Sequence, residues 1–191
     1  MNDEVIMRDF EAFRKLVGLD ELRLERLRVV GEWLRPKVTE ITDVFYERLL
    51  ADPTTAAFLD GKIEHLKKVH HAWIEDILSG IYDESFFVRQ IKIGKAHVTN
   101  QVPPLFLASG FSILRVLLFD QIEAAAKMNR PDTCPRCSRA LGRLLDACQF
   151  LIDRSYEQDR LNRVSNATGM SLPLIEALVM LKQHPDNIRS R

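Results

Sequence analysis

Apolar residues recur at steps of three and four along almost the whole chain. Nowhere does apolar alternate with polar over the length of a strand. With only eight glycines in 191 residues, the sequence reads as helix after helix. The first segment, DEVIMRDFEAFRKLVG, repeats Ile6, Phe10, Phe13 and Val17 and stops at Gly18. The second, DELRLERLRVVGEWLR, turns Leu24, Leu27 and Val30 inward and ends at Pro36. Proline is tolerated in a first helical turn, so Pro36 can also open PKVTEITDVFYERLLA, whose stripe is Val38, Ile41, Phe45 and Leu49 with Tyr46 beside it. DPTTAAFL is a turn with a short helix, and KIEHLKKVHHAWIEDILSG is a helix closed by Gly80.

A further helix runs from the acidic cap of DESFFVRQIKIGKAHV to His97, and TNQVPP interrupts it. PPLFLASGFSILRVLLFDQIEAAAKM is the longest and most apolar helix, NRPDTCPRC is a loop, and residues 138–160 form a last long helix with Leu141, Leu144, Leu145, Cys148, Leu151 and Ile152 inward. Residues 161–191 change texture, with a short helix SLPLIEALVML after a break and then a polar tail. The expectation is an all-α domain of seven or eight helices around one core. The two long apolar helices also offer a helix-on-helix dimer interface.

Lys+Arg and Asp+Glu both number 27, which argues against a dedicated nucleic-acid binder and permits self-association. No apolar run approaches the roughly 20 residues that span a bilayer, and MNDEVIMRDF lacks the layout of a signal peptide, so a cytoplasmic protein is expected.

Of the five histidines, His65 and His71 fall off the apolar stripe and His184 lies in the polar tail. His70 is different. It shares the face of Ile63, Leu66, Trp73, Ile77 and Ile81, where a leucine would be expected. A neutral imidazole among Leu66, Val69, Trp73 and Ile74 needs partners for its ring nitrogens, either a carbonyl or carboxylate in the core, or a metal. His97 follows Ile93 and Gly94, and a glycine inside a helix often marks a close approach. Ile93, Gly94 and His97 together can offer a flat apolar surface with one imidazole on it, but taken alone the pattern favours a plain helix-terminal histidine, whose charged form the negative end of the dipole favours.

Cys134 and Cys137 in CPRC invite a zinc or redox reading, but no second ligand pair follows, and Cys148 lies mid-helix. No motif for acyl transfer, nucleotide binding or metalloprotease chemistry is present.

Taken in order, ITDVFYERLLADPTTAAFL, IEHLKKVHHAWIEDILSGIYD and VRQIKIGKAHVTNQVPP resemble the sensor-globin domain of globin-coupled sensors, over roughly residues 8 to 158. The resemblance implies a globin fold with an extra N-terminal helix, a heme-binding unit at 1–160 and a linker and tail at 161–191. It implies heme b (iron protoporphyrin IX) as cofactor, with His97 of IGKAH as proximal ligand and Tyr46 as the distal tyrosine that bonds bound oxygen. Leu66 and Val69 hold distal positions, with Trp73 and Ile93 lining the same pocket.

His70 departs from the commoner pattern and becomes a candidate second axial ligand. The implied function is a non-enzymatic gas or redox sensor for O2, CO or NO. It would signal through helix repacking, as a homodimer through 104–128 and 138–160, to an effector domain or protein partner, with no nucleic acid and no membrane. The alternative is O2/NO turnover or electron transfer served by a separate reductase. PPLFLAS stands where many relatives carry a WY pair, so a signal through that tyrosine hydroxyl is not expected here.

Overall fold

The computed structural model describes residues 3–127 and 135–181, and these hold helices and turns with no strand. The helices are α1 (Asp3–Val17), α2 (Glu21–Leu34), α3 (Val38–Leu50), α4 (Pro53–Leu59), α5 (Ile63–Ile77), α6 (Glu84–Thr99), α7 (Pro104–Lys127), α8 (Pro135–Thr168) and α9 (Leu172–Met180), with a 3-10 turn at Arg35–Lys37.

Local chemistry sets the helix starts. Asp20, Asp52 and Asp83 are extended residues whose carboxylates accept backbone N–H groups of Arg23, of Thr54 and Thr55, and of Phe86. Each satisfies donors that a first turn otherwise leaves open. Pro36 opens the 3-10 turn rather than the helix itself, and α3 starts two residues later.

α8 is the spine of the fold. α1, α2, α6 and α7 all pack on it, and Leu141, Leu144, Leu145, Cys148, Leu151 and Ile152 are buried as the periodicity predicts. α1 adds Phe13 stacked on Phe150 at 4.6 Å and Phe10 against Phe87 at 4.6 Å, so the extra N-terminal helix is part of the core. α3 lies between α5 and α7.

Three sequence expectations change. The last long helix does not stop at 160 but continues to Thr168, where Gly169 at φ 72° ends it. Its other end already includes Arg136 and Cys137, while the rest of the CPRC loop, with Cys134, lies outside the described residues, as does His184. Ile81 is 63% exposed, because α5 ends at Ile77 and Gly80 at φ 76° turns the chain before the stripe reaches it. Finally, α7 has a mean hydropathy of 1.6 over an 18-residue window, so by length and composition it could cross a membrane. Its Leu107, Phe111, Leu114, Leu117, Leu118 and Ile122 are instead buried in the helical core.

Candidate functional site

His70 and His97 stand on α5 and α6, two helices consecutive in the chain that behave differently. α5 packs closely on α3 and much less on α6. α6 is pressed onto α8, and Gly94 is the reason. A Cβ there would lie 1.9 Å from Ser155 Oγ and 2.3 Å from the Ile152 carbonyl oxygen, so only hydrogen fits. This corrects the sequence expectation for Gly94, which serves the crossing with α8 and does not extend a flat surface with Ile93 and His97.

α5 and α6 meet only weakly along their backbones, and the cleft between them is bridged by side chains near the C-terminal end of α5. There the Trp73 indole N–H donates to Gln90 Oε1 at 2.9 Å, and the fully buried Gln90 donates in turn to the Phe86 carbonyl at 3.1 Å. Beside it, Arg89 grips both carboxylate oxygens of Asp76 at 2.8 and 2.9 Å. Leu66, Trp73 and Ile93 are packed against the core yet only partly buried. Val69 is 48% exposed, more than a buried distal position would suggest. His65 is exposed, and His71 is a surface residue bonded to Thr39 Oγ1 at 3.3 Å.

The two imidazoles sit on the opposing helices, near enough for charge on one to disfavour charge on the other. Burial first, and then the neighbouring His97, push His70 down to about 4, so the ring is neutral near pH 7. Burial also lowers His97, against the opposing effect of its bond to the Ile93 carbonyl. That bond runs from Nδ1 at 2.8 Å. A carbonyl only accepts, so the proton is on Nδ1 and Nε2 offers a lone pair, the form that ligates a metal.

His70 Nδ1 lies 2.5 Å from the hydroxyl of Tyr46, which is completely buried and whose phenol burial pushes above its usual range. Phe45 presents an edge to the His70 ring at 5.7 Å, and Phe111 an edge to Trp73 at 5.6 Å.

The structure thus brings Tyr46, His70, Trp73 and His97 near one another, with Leu66 and Ile93 packed on the same core, while Val69 lies half-exposed. Sequence reasoning missed Phe45, Gln90 and Phe111. Gln90 carried a signal, as an uncharged polar residue two turns before His97 on its face, opposite a tryptophan whose N–H needs an acceptor. No group of three or more His, Cys, Asp or Glu suited to a metal ion occurs among the described residues. A groove of about 480 Å³ lined by Pro104, Leu107, Tyr156, Arg160 and Leu161 includes none of these site residues.

Residues 6–162 match the family model described as Protoglobin. The chain belongs to the Protoglobin family. Among solved structures it is similar to the globin domain of a globin-coupled sensor from Geobacter sulfurreducens, with a TM-score of 0.68 and 23% identity over 76% of this chain and 96% of that one. It is also similar to the globin domain of DosC from E. coli in its ferric form, with a TM-score of 0.56 and 15% identity over 76% and 97% of the two chains. At these identities the two likenesses establish the all-α globin fold. No curated protein matches the chain.

The residues of the cleft fit a heme. The donor set is two neutral imidazoles on neighbouring helices, one with its lone pair already free, beside the partly buried apolar side chains of Leu66, Trp73 and Ile93.

Proposed function

We propose that this member of the family is a heme-based gas or redox sensor. His97 is the proximal ligand, and His70 is the distal ligand that yields its place to O2, CO or NO. The observation that carries the reading is the pair of neutral imidazoles on α5 and α6, close enough to influence each other, with the His97 Nε2 lone pair left free. A heme b held there supplies an iron with one coordination position that His70 and a diatomic gas compete for. The protein supplies the rest. Ile93 fixes the His97 ring through its carbonyl; Leu66, Val69, Trp73 and Ile93 keep water from the walls; Tyr46 holds His70.

Signalling follows from how α5 is held. Its C-terminal end is tied to α6 by Trp73–Gln90 and Asp76–Arg89, and the residues just after it to the 3-10 turn that follows α2, where Arg35 donates to the carbonyls of Leu78 at 3.1 Å and Ser79 at 2.7 Å. Its N-terminal end has no side-chain cap. Movement of His70 therefore swings the Ile63–His70 half of α5 about its anchored end. α3, which carries Tyr46, Lys67's partner Asp43 and the contacts to α7, receives that motion.

We take residues 1–160 as the heme-binding unit and 161–191 as the linker and tail to an effector domain or partner, in a cytoplasmic homodimer built on 104–128 and 138–160. The half-exposed Val116 and the 67% exposed Leu105 on α7 support that interface.

Visible spectra of the parent, His70→Ala and His97→Ala, ferric and ferrous, test the reading. The parent is expected to be low-spin and six-coordinate, His70→Ala five-coordinate, and His97→Ala unable to hold heme in either form. An unchanged spectrum in His70→Ala removes His70 from the iron; one in His97→Ala removes the whole assignment.

A further inference from the structure

A neutral imidazole has one N–H and one lone pair, so the position of its proton decides what the ring can do. In His97 a carbonyl decides it, as described above. In His70 the neighbour is a hydroxyl, which can donate or accept, and the choice falls to burial.

Tyr46 is completely buried, and His70 Nδ1 is its one hydrogen-bond partner among the described residues. Were the ring to donate, the phenolic proton would point into the core with no acceptor. With the hydroxyl donating, the fully buried phenolic proton has its acceptor, and the donor left without a protein partner is the N–H of the less buried ring. The ring's own proton then lies on Nε2, the nitrogen with no protein partner among the described residues.

We propose that Tyr46 is a positioning residue that holds His70 as the Nε2–H tautomer, so that the two cleft imidazoles are set oppositely: His97 presents a lone pair and His70 a hydrogen-bond donor. The proposal rests on the heme-binding reading above. It gives Tyr46 a different part from the one the family resemblance implies, because its hydroxyl is engaged by His70 and acts on a bound gas only through that ring. It also makes His70 a reluctant iron ligand. Nε2 can ligate only when the Tyr46–His70 bond is reversed or broken, which orphans a buried donor. That loss corresponds to a population of the ligating state lower by about 5- to 150-fold. A gas then competes with a distal ligand held less firmly than an unrestrained imidazole would be, and meets a donor once that ligand is displaced.

The test uses the heme-loaded full chain as parent, Tyr46→Phe and His70→Leu. Phenylalanine keeps the buried ring of Tyr46 and removes only the hydroxyl. The first readout is the carbon–oxygen stretch of the ferrous protein under CO, which falls when a donor reaches the bound oxygen atom. Both variants are expected to raise it, His70→Leu by deleting the donor and Tyr46→Phe by releasing the tautomer. A parental stretch in His70→Leu would mean that Tyr46 bonds the gas itself or that nothing does, and a parental stretch in Tyr46→Phe would mean that the hydroxyl does not set the ring; either result overturns the proposal.

The second readout is the ratio of six- to five-coordinate ferrous protein without gas. Tyr46→Phe should raise it by about 5- to 150-fold, with slower CO binding. A fall would show that Tyr46 assists ligation and would overturn the proposal as well. If all three proteins are purely five-coordinate, the ligation by His70 proposed above fails, while the stretch still decides the tautomer.

Discussion

A single hydrogen atom at position 94 does more for the site than its distance from the cleft suggests. Gly94→Ala would push a methyl into Ser155 Oγ and into the Ile152 carbonyl, which as backbone cannot turn aside. The expected cost is about 1–3 kcal/mol. In a chain of this size that lowers the melting temperature by about 2–4 °C for each kcal/mol, readable by calorimetry. The histidines add a pH dependence with a definite sign. An unfolded His70 takes up its proton near 6.5, and the folded one only near about 4. The unfolded chain therefore binds more protons in that window, and stability of the heme-free protein falls as pH drops through it. His97, also lowered, contributes in the same direction. Urea midpoints between neutral pH and about 4 should decline in the parent and decline less steeply in His70→Leu.

The two helices that carry the imidazoles differ in how firmly they are mounted. α6 is fixed along its length: Gly94 against α8, Val102 N–H on the His97 carbonyl at 2.9 Å, the Tyr156 hydroxyl on the Val102 carbonyl at 2.9 Å, and Arg163 on Thr99 at 2.8 Å. α5 is tied to α6 near its C-terminal end, while its first half is held by side chains of α3, through Asp43–Lys67 and Tyr46–His70. Amide hydrogen exchange should accordingly be faster over Ile63–His70 than over Trp73–Ile77, and faster than anywhere in the middle of α6. Gln90→Leu removes the acceptor of the Trp73 indole and leaves a part-buried N–H unpaired, a cost of about 1–3 kcal/mol. Its exchange pattern should show the protection of Trp73–Ile77 falling toward that of the helix's first half. Protection unchanged in that variant would place the anchor of α5 with Arg35 and Asp76 instead.

For the molecule as a whole, the question is what covers α7. Its inner face is in the core, but Leu105 and Val116 are exposed on an otherwise apolar helix. Val116→Glu is expected to shift the protein from dimer to monomer in sedimentation, with its heme spectrum unchanged, since residue 116 is not among those of the cleft. A monomeric parent would remove the homodimer from the proposed function.

The sequence by itself determined the helices, because a 3.6-residue period is written locally in the spacing of Ile6, Phe10 and Phe13 or of Leu141, Leu144 and Leu145. It also marked His70 as anomalous, since an imidazole on an apolar stripe conflicts with burial wherever the stripe goes. What it did not contain was distance across the chain. Gly94 looked like part of a surface for a cofactor, and only the crossing with α8, some sixty residues further on, shows that it admits a helix. The end of α8 was misplaced by eight residues because composition changes at 161 while the backbone hydrogen bonding does not. Tyr46 and His70 are 24 positions apart, and the bond that orients the ring exists only because α3 and α5 pack side by side. Periodicity is a property of neighbours in sequence, whereas a tautomer is set by a neighbour in space, and that was decided by the tertiary structure alone.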